Sequence, residues 1–302
     1  MKKFIKKILI WLIPFVVLHL WLGSFADGNT DDNYRHFTQQ SSSIIMGDSR
    51  GSQAVVPDIL NKNFPTKDFD NFSFNITYSP YGDIYLKALQ RKIEPRALNG
   101  IFILTVDPWN LSQDKKFNGF SEEKSPLNNM LFYNIYPNYE YLLKNFNRSW
   151  FHIYRDRETL QRSNTYLHQN GWLEVNVSME PEELKKRVDA KVVFYRQFAS
   201  GQQLSQERIA AFKETIRFLK NHGDVYIVRI GAGARIMEIE NAYAPDFNHL
   251  MENIASEFNI DYFDFSKNTG NYKYTDGNHM YKESSKIFTQ QVADSIKKSQ
   301  SE

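Results

Sequence analysis

The sequence predicts an α/β fold with a mostly parallel sheet, arranged as a three-layer α/β/α sandwich. Three observations indicate it. Short apolar runs alternate along the chain with amphipathic helical patterns. The run at residues 101–106 is continuous and β-branched, as expected for a parallel strand that is covered on both faces. The 302 residues are enough for one large α/β domain.

Residues 1–26 have the pattern of a membrane anchor or a signal peptide. Four lysines within the first seven residues precede the apolar run 8–22, and aspartates follow it. This order places the N-terminus in the cytoplasm and the rest of the chain outside. A single-pass cell-membrane protein with an extracytoplasmic C-terminal domain is therefore expected. A periplasmic or secreted protein is one alternative, because Ser24-Phe25-Ala26 has the small-x-small form of a cleavage site. A buried N-terminal core helix is another alternative, which the flanking lysines disfavour.

The elements of the α/β domain are predicted in order from residue 43. Residues 43–46 form an apolar run that ends at Gly47, which predicts the first buried strand. A helix can begin after Ser49. The same criteria predict strands at 69–76, 101–106, 225–230 and 260–265, and helices at 57–60, 81–93, after Ser205, and at 247–258 and 281–296.

Two stretches have little periodicity. Residues 27–42 are polar and are predicted to be a tether between the N-terminal segment and the domain at 43–302. Residues 111–201 are rich in Asn, Tyr, Lys and Arg, with helical patches at 139–145 and 181–198. We predict that 111–201 is a cap-like helical insertion over the edge of the sheet, within the same domain.

The composition excludes several classes of function. The net charge is +2 and the basic residues are scattered, so nucleic acid is not an expected partner. The chain has no cysteine, which excludes disulfides, a thiolate nucleophile and cysteine-based metal sites. Histidine and carboxylate residues show no metal-ligand spacing, so no metal and no cofactor are expected.

Polar side chains follow most of the predicted strands. The carboxyl ends of parallel strands meet at one edge of the sheet, and ligands bind there. The side chains expected to converge at this edge are Ser49, Asn75, Asp107, Asn110, Arg229 and those of the loop 276–279.

Ser49 and His279 are the predicted nucleophile and base. Gly47-Asp48-Ser49 forms a strand-to-helix turn, which would direct the serine Oγ and its backbone N–H toward the same space. Asp276 and His279 lie three apart in a loop, where the carboxylate can hold one tautomer of the imidazole. A serine nucleophile needs such a base and orienting group. The alternatives are a helix N-cap at Ser49 and a solvated turn at 276–279.

Arg50, Arg229 and Asp107 are candidate substrate-binding residues at the same edge. The guanidinium groups could bind an anionic group such as a uronate or a phosphate. Arginines that form salt bridges are the alternative interpretation.

The two end motifs together resemble those of the SGNH/GDSL hydrolase superfamily. The variant Met46-Gly47-Asp48-Ser49-Arg50, behind an N-terminal membrane segment, looks like the exported bacterial branch of that superfamily. This branch includes glycan O-acetyltransferases and esterases and the D-alanyl transfer protein of teichoic-acid modification. The resemblance spans about 43–296, and the expected sandwich is flavodoxin-like in outline.

The resemblance also implies site residues. Ser49 would be the nucleophile, His279 the base and Asp276 its orienting group. The implied function is an exported serine esterase or O-acyltransferase that acts through an acyl-serine on acyl groups of a cell-surface or extracellular polysaccharide. Implied partners are an acylated glycan or acyl donor and a polytopic membrane O-acyltransferase. The alternative is a non-catalytic glycan-binding or scaffold protein of the same fold in a membrane acylation complex.

The oxyanion donors match the superfamily pattern poorly. The superfamily uses a Gly and an Asn that each follow a strand. Here the second block, 74–78, has no glycine before Gly82, and the third block, 106–110, differs from Gly-x-Asn-Asp. Asn75 and Asn110 are the candidate donors.

Overall fold

The protein is described by a computed structural model that covers residues 1–301 except 97, 117–124, 160–162 and 268. The strands are β1 (Ser43–Met46), β2 (Phe69–Asn71), β3 (Gly100–Val106), β4 (Ser112–Asp114), β5 (Thr165–Leu167), β6 (Leu173–Val175), β7 (Gln202–Leu204), β8 (Gly223–Arg229) and β9 (Asp261–Asp264). The helices are α1 (Lys2–Gly23), α2 (Ser49–Ala54), α3 (Pro57–Asn63), α4 (Asp83–Lys92), α5 (Pro126–Asn129), α6 (Tyr139–Asn145), α7 (Phe151–Asp156), α8 (Pro181–Gly201), α9 (Gln206–Lys220), α10 (Ala234–Tyr243), α11 (Phe247–Phe258) and α12 (Lys282–Ser301).

Among the described residues, five parallel strands form the central sheet in the order β2-β1-β3-β8-β9. The first strand of the sheet is β1. The next strand along the chain, β2, pairs with one edge of β1, and β3 pairs with the other edge. This reversal opens a crevice at the carboxyl ends of β1 and β3, where doubly wound sheets bind ligands. The predicted α/β fold with a mostly parallel sheet is confirmed.

Helices cover both faces of the sheet because successive strand residues point to opposite sides. In β3, Phe102 and Leu104 belong to a core shared with α4, α9 and α11. Ile101 and Ile103 belong to a second core with α3 and α12. The apolar continuity of β3 thus reflects burial on both faces, which produces the three layers.

Strand β2 and helix α10 differ from the prediction. Strand β2 ends at Asn71 and does not continue to residue 76. The Asn71 side chain accepts the Ser73 N–H and donates to the carbonyl groups of Gly51 and Val55, which turns the chain away from the sheet. Helix α10 was not predicted, because the glycines at 231 and 233 indicate a turn.

The segment 28–42 is not a free tether. Tyr34 and Phe37 are fully buried in the main core, and the buried ammonium of Lys92 donates to the His36 carbonyl at 2.9 Å. The segment is polar on average, but its few aromatic side chains bury a large apolar area. Such isolated anchors give no periodic pattern, so the sequence did not predict this packing.

Residues 111–201 divide into two parts. Helices α5, α6 and α7 pack into the main core through residues such as Leu127, Tyr141 and Ile153. Helix α8 packs instead against α10, with Val192 and Tyr195 beside Ile236. Helix α8 therefore lies near the carboxyl edge of the sheet.

The N-terminal segment forms α1, which contacts α6 and α7 at its C-terminal end. The Tyr139 hydroxyl donates to the Leu20 carbonyl at 2.7 Å, and Ala26 is fully buried. In the part of the chain that the structure describes, no helix combines the length and the apolar character needed to cross a membrane.

Phe37→Ala tests whether 28–42 belongs to the core. The Phe37 ring lies 5.0 Å from the Tyr133 ring and 5.2 Å from the Tyr141 ring, between centroids. Its loss should lower the free energy of unfolding by about 3–5 kcal/mol, measured by urea denaturation. Phe132→Ala, at a half-exposed ring, is the matched control and should cost about 0.5 kcal/mol or less. Equal effects of the two variants would show that 28–42 is a tether.

Candidate active site

The turn after β1 is packed tightly against β3. A Cβ at Gly47 would lie 1.7 Å from the Thr105 Oγ1, so the close approach requires glycine at this position. The Asp48 carboxylate caps α2 by accepting the Arg50 N–H at 2.9 Å. Ser49 is therefore the first residue of α2. Its N–H belongs to the helix turn that has no intrahelical acceptor.

Ser49, His279 and Asp276 form a continuous hydrogen-bonded chain. Ser49 Oγ lies 2.8 Å from His279 Nε2, and His279 Nδ1 lies 2.8 Å from Asp276 Oδ2. The other carboxylate oxygen, Asp276 Oδ1, accepts the backbone N–H groups of Asn278 and His279, each at 2.9 Å. The structure thus brings together the three side chains that the two end motifs single out.

This arrangement selects the protonation state of each group. Burial raises the pKa of Asp276, but the charge and hydrogen bond of His279 and the charge of Lys191 outweigh it and hold this pKa below its ordinary value. The ionised carboxylate keeps the imidazole proton on Nδ1. The lone pair on Nε2 then faces the Ser49 hydroxyl, as general-base catalysis requires.

The histidine loop is held by its own backbone. Gly277 has φ +83°, in the left-handed region that favours glycine. The Thr275 N–H donates to the His279 carbonyl at 2.8 Å and closes the loop. The Gly233 N–H, at the start of α10, donates to the Gly277 carbonyl at 2.7 Å. The loop is therefore fixed to α10 as well as to Ser49.

Beneath these groups, Arg50 connects the separate segments of the site. Its guanidinium lies 2.8 Å from Glu240 of α10 and 3.5 Å from Asp107 after β3. Its Nε donates to Asn278 Oδ1 at 3.0 Å, and Nη1 donates to the Ile230 carbonyl at 3.3 Å. Burial would lower the pKa of Arg50, but Glu240 and Asp107 raise it above its ordinary value. Arg50 therefore stays charged.

The structure does not place Arg50, Arg229 or Asp107 where substrate could contact them. Their exposed fractions are 1%, 3% and 1%. Arg229 pairs with Glu240 at 2.9 Å, so this one carboxylate forms ion pairs with both arginines. The sequence did not indicate the pairing because Glu240 lies on α10, which was not predicted.

Asp107 has an unusual pKa. Its carboxyl is buried and adjoins Asp48, and both effects favour the neutral acid, whereas Arg50 opposes them. The result is a pKa of about 7. The neutral carboxyl can donate to the Asp48 carboxylate, which relieves the repulsion between the two acids.

Neither predicted oxyanion donor contacts Ser49 by a hydrogen bond in the described part of the chain. Asn75 is exposed, and its Oδ1 accepts the N–H groups of Thr77 and Tyr78. Asn110 is buried, and its Nδ2 donates to the Thr105 carbonyl at 3.3 Å. Both amides thus stabilise the turns that contain them.

Two further residues approach the triad without having been predicted. Asn278 Nδ2 lies 3.2 Å from His279 Nε2, and Lys191 Nζ on α8 lies 3.3 Å from Asp276 Oδ2. Asn278 could have been found from the sequence, because it lies inside the motif at 276–279. No sequence pattern indicated Lys191, because its distance from Asp276 depends on how α8 packs.

A pocket of about 220 Å³ opens between the loops that follow β2 and β3. Trp109 and Phe198 supply apolar lining, and Gln113, Asp114 and Gln202 supply polar groups. The chain after β2 continues past the nucleophile turn, where the Phe74 N–H donates to the Gly47 carbonyl at 3.3 Å. The pocket therefore belongs to the same edge of the sheet.

Among the described residues, no group of three or more His, Asp or Glu side chains is arranged to hold a metal ion.

Comparisons with known proteins add little. No protein-family model and no curated protein matches the chain. An inhibitor-bound aryl esterase from M. smegmatis is similar in structure at 11% sequence identity and a TM-score of 0.38, over 85% of this chain and 99% of that chain. Another crystal structure is similar at 9% identity and a TM-score of 0.38, over 88% of this chain and 100% of that chain. Similarity at this level carries no argument about function.

Asp107→Asn tests the carboxyl pair. A pKa raised from 3.8 to about 7 stabilises the fold fully below pH 4, and this contribution is lost as the pH rises to 7. The amide mimics the neutral acid at every pH. The difference in unfolding free energy, variant minus wild type, should therefore rise by about 1 kcal/mol or more between pH 4.5 and 7.5.

Urea denaturation at the two pH values measures this difference. Asp294→Asn, at an exposed carboxylate on α12, is the control and should show no such rise. A difference for Asp107→Asn that is constant with pH would mean that Asp107 is ionised throughout this range.

Proposed function

We propose that the protein is a serine esterase or O-acyltransferase that acts through an acyl-serine intermediate. The observation that carries the proposal is the chain of two 2.8 Å contacts from Ser49 through His279 to Asp276. A serine hydroxyl that donates to an imidazole, which in turn donates to an ionised carboxylate, is the arrangement that activates serine for acyl transfer.

The reaction takes place in two steps. Ser49 Oγ attacks the acyl carbonyl carbon while its proton passes to His279 Nε2. The bond to the leaving alcohol breaks, and His279 returns the proton to that oxygen, which leaves an ester on Ser49. Water or a sugar hydroxyl then gives its proton to His279 and attacks this ester. The bond between the acyl carbon and Ser49 Oγ breaks, and His279 returns the proton to Oγ, which restores the serine. Asp276 stabilises the imidazolium that forms in each step.

The tetrahedral intermediate needs donors for its oxyanion. The N–H of Ser49 is suited to this part, because it lies in the first turn of α2 beside the attacking Oγ. The macrodipole of α2 adds a partial positive charge at the same point. We do not assign a donor role to Asn110, whose Nδ2 donates to the Thr105 carbonyl. Asn75 uses its Oδ1 to accept two N–H groups of its own turn, so its Nδ2 remains a candidate donor.

The substrate we propose is an ester on a cell-surface or extracellular polysaccharide. The pocket beside Trp109 supports a sugar as the group that carries the ester. It joins an aromatic wall to the amide and carboxylate side chains of Gln113, Asp114 and Gln202, which can hydrogen-bond to hydroxyl groups. An acceptor sugar that fills this pocket would give acyl transfer, and water in its place would give hydrolysis.

We further propose that α1 holds the domain at a membrane surface outside the cytoplasm. Its exposed side chains include Trp11, Ile13 and Phe15, and the lysines at its start suit anionic headgroups. A membrane location would place the site near a membrane acyl donor, such as a polytopic O-acyltransferase. Failure of the full chain to float with vesicles of anionic phospholipid would argue against this location.

Covalent labelling with a fluorophosphonate tests the proposed function. The full chain in mild detergent should be labelled at Ser49, and Ser49→Ala should abolish labelling. His279→Ala should slow it at least about 100-fold, because the base is lost. Gel fluorescence and peptide mass mapping measure the extent and the position of the label.

The controls are Ser256→Ala and His249→Ala, at exposed positions on α11, which should label like the wild type. No labelling of a folded wild-type chain would contradict the proposal. Glycan binding that persisted in Ser49→Ala, without labelling or turnover in the wild type, would identify the protein as a non-catalytic glycan-binding protein.

A further inference from the structure

Helix α8 lies directly over the loop that carries Asp276 and His279. Arg187 Nε donates to the Thr275 carbonyl at 2.8 Å. A Cβ at Gly277 would meet Val188 at 3.4 Å, so the loop backbone packs against the helix. These contacts place the first half of α8 against both ends of the aspartate turn.

One turn of α8 further on, Lys191 reaches the catalytic carboxylate. Its Nζ lies 3.3 Å from Asp276 Oδ2, the same oxygen that accepts from His279 Nδ1. Lys191 is 28% exposed and Asp276 is 16% exposed, so solvent screens their attraction only in part. The carboxylate is thus fixed by His279, by the loop N–H groups and by a cation from another part of the fold.

We propose that Lys191 is a positioning residue for the triad, which holds the Asp276 carboxylate in place and moderates its charge at His279. The proposal rests on the proposed function, because the charge at His279 affects catalysis only if Ser49 is the nucleophile. It also gives α8 a direct part in the site. The helix aligns the catalytic loop and does not merely cover it.

The other groups around His279 are in place for reasons that do not involve Lys191. Arg50 is paired with Glu240 and lies 3.5 Å from Asp107, and Arg187 donates to a backbone carbonyl. Of the residues that the structure describes, three charged side chains contact the histidine loop, namely Arg50 from the nucleophile turn and Arg187 and Lys191 from α8. The titratable groups that interact with Arg50 include Asp48, Asp107, Glu240, Tyr195 and Tyr274.

The sign of the effect follows from Coulomb's law. Lys191 is positive, so it disfavours a second positive charge on the His279 ring and offsets part of the attraction of Asp276 for that charge. Without Lys191, the imidazolium becomes more favourable and the titration of His279 moves to higher pH. Lys191 Nζ lies 3.3 Å from Asp276 Oδ2, which lies 2.8 Å from His279 Nδ1. A partly screened unit charge this close should move the midpoint of the His279 titration by about half a pH unit or more.

The experiment is an NMR titration of the His279 ring protons in the full chain, assigned by their absence in His279→Ala. Lys191→Met should raise the midpoint of the titration. Lys191→Arg keeps the positive charge and should have the same midpoint as the wild type. Lys185→Met, an exposed lysine on the same helix, is the matched control and should leave it unchanged. Lys191→Gln provides a second neutral variant if Lys191→Met does not fold.

The same variants are then labelled with the fluorophosphonate across pH. The pH dependence of the labelling rate should shift upward with the histidine midpoint in Lys191→Met, so that labelling at a pH below the wild-type midpoint slows about threefold or more. An unchanged midpoint in both neutral variants would overturn the positioning proposal. The proposal would also be overturned if Lys191→Arg slowed labelling as much as Lys191→Met does. In that case the slower labelling would reflect lost packing and not the lost charge.

The two proposals fail in different ways. If the histidine midpoint shifts as expected but the wild type is not labelled, Lys191 holds Asp276 in a site that does not activate Ser49, and the proposed function is wrong. If the wild type is labelled at Ser49 and the midpoint does not move, only the proposal for Lys191 is wrong.

Discussion

The site depends on one buried cation, the guanidinium of Arg50. A charge in the interior is tolerated only when it is paired and hydrogen-bonded. Its partners Glu240, Asp107 and Asn278 come from three different parts of the chain, so satisfying Arg50 brings those parts together. Removing the Glu240 carboxylate would leave an uncompensated charge, which typically costs about 3–5 kcal/mol. Assembly of the site and stability of the fold are therefore linked.

The hydrogen bond of Arg50 and the ion pair of Lys191 position different members of the triad. Arg50 follows Ser49 in the sequence and binds Asn278, which precedes His279, so the bond between them sets how far apart nucleophile and base lie. From the opposite side, Lys191 holds Asp276. The histidine is thus fixed through both of its neighbours in the triad. Correct placement of reacting groups is worth several kcal/mol in catalysis, and small displacements lose it.

Much of the fold and part of the site could be predicted from the sequence. The strand at 101–106 and the motifs at Ser49 and 276–279 are local patterns, and topology alone brings the carboxyl ends of parallel strands together. The partners of Arg50 could not be predicted, because Glu240 lies on a helix masked by glycine turn signals. The core position of Phe37 was missed for a similar reason, since one aromatic anchor in a polar stretch has no periodicity.

The most direct test of this account is the rate at which a fluorophosphonate labels Ser49 in Asn278→Ala. This change removes the link between Arg50 and the histidine loop, together with the 3.2 Å contact of Asn278 Nδ2 with His279 Nε2, but leaves the pairing of Arg50 with Glu240 intact. Asn271→Ala, at an exposed position of the same segment, is the control. The account predicts a rate at least about tenfold lower in folded Asn278→Ala, which is about 1.4 kcal/mol. A wild-type rate would show that the buried arginine does not position the base.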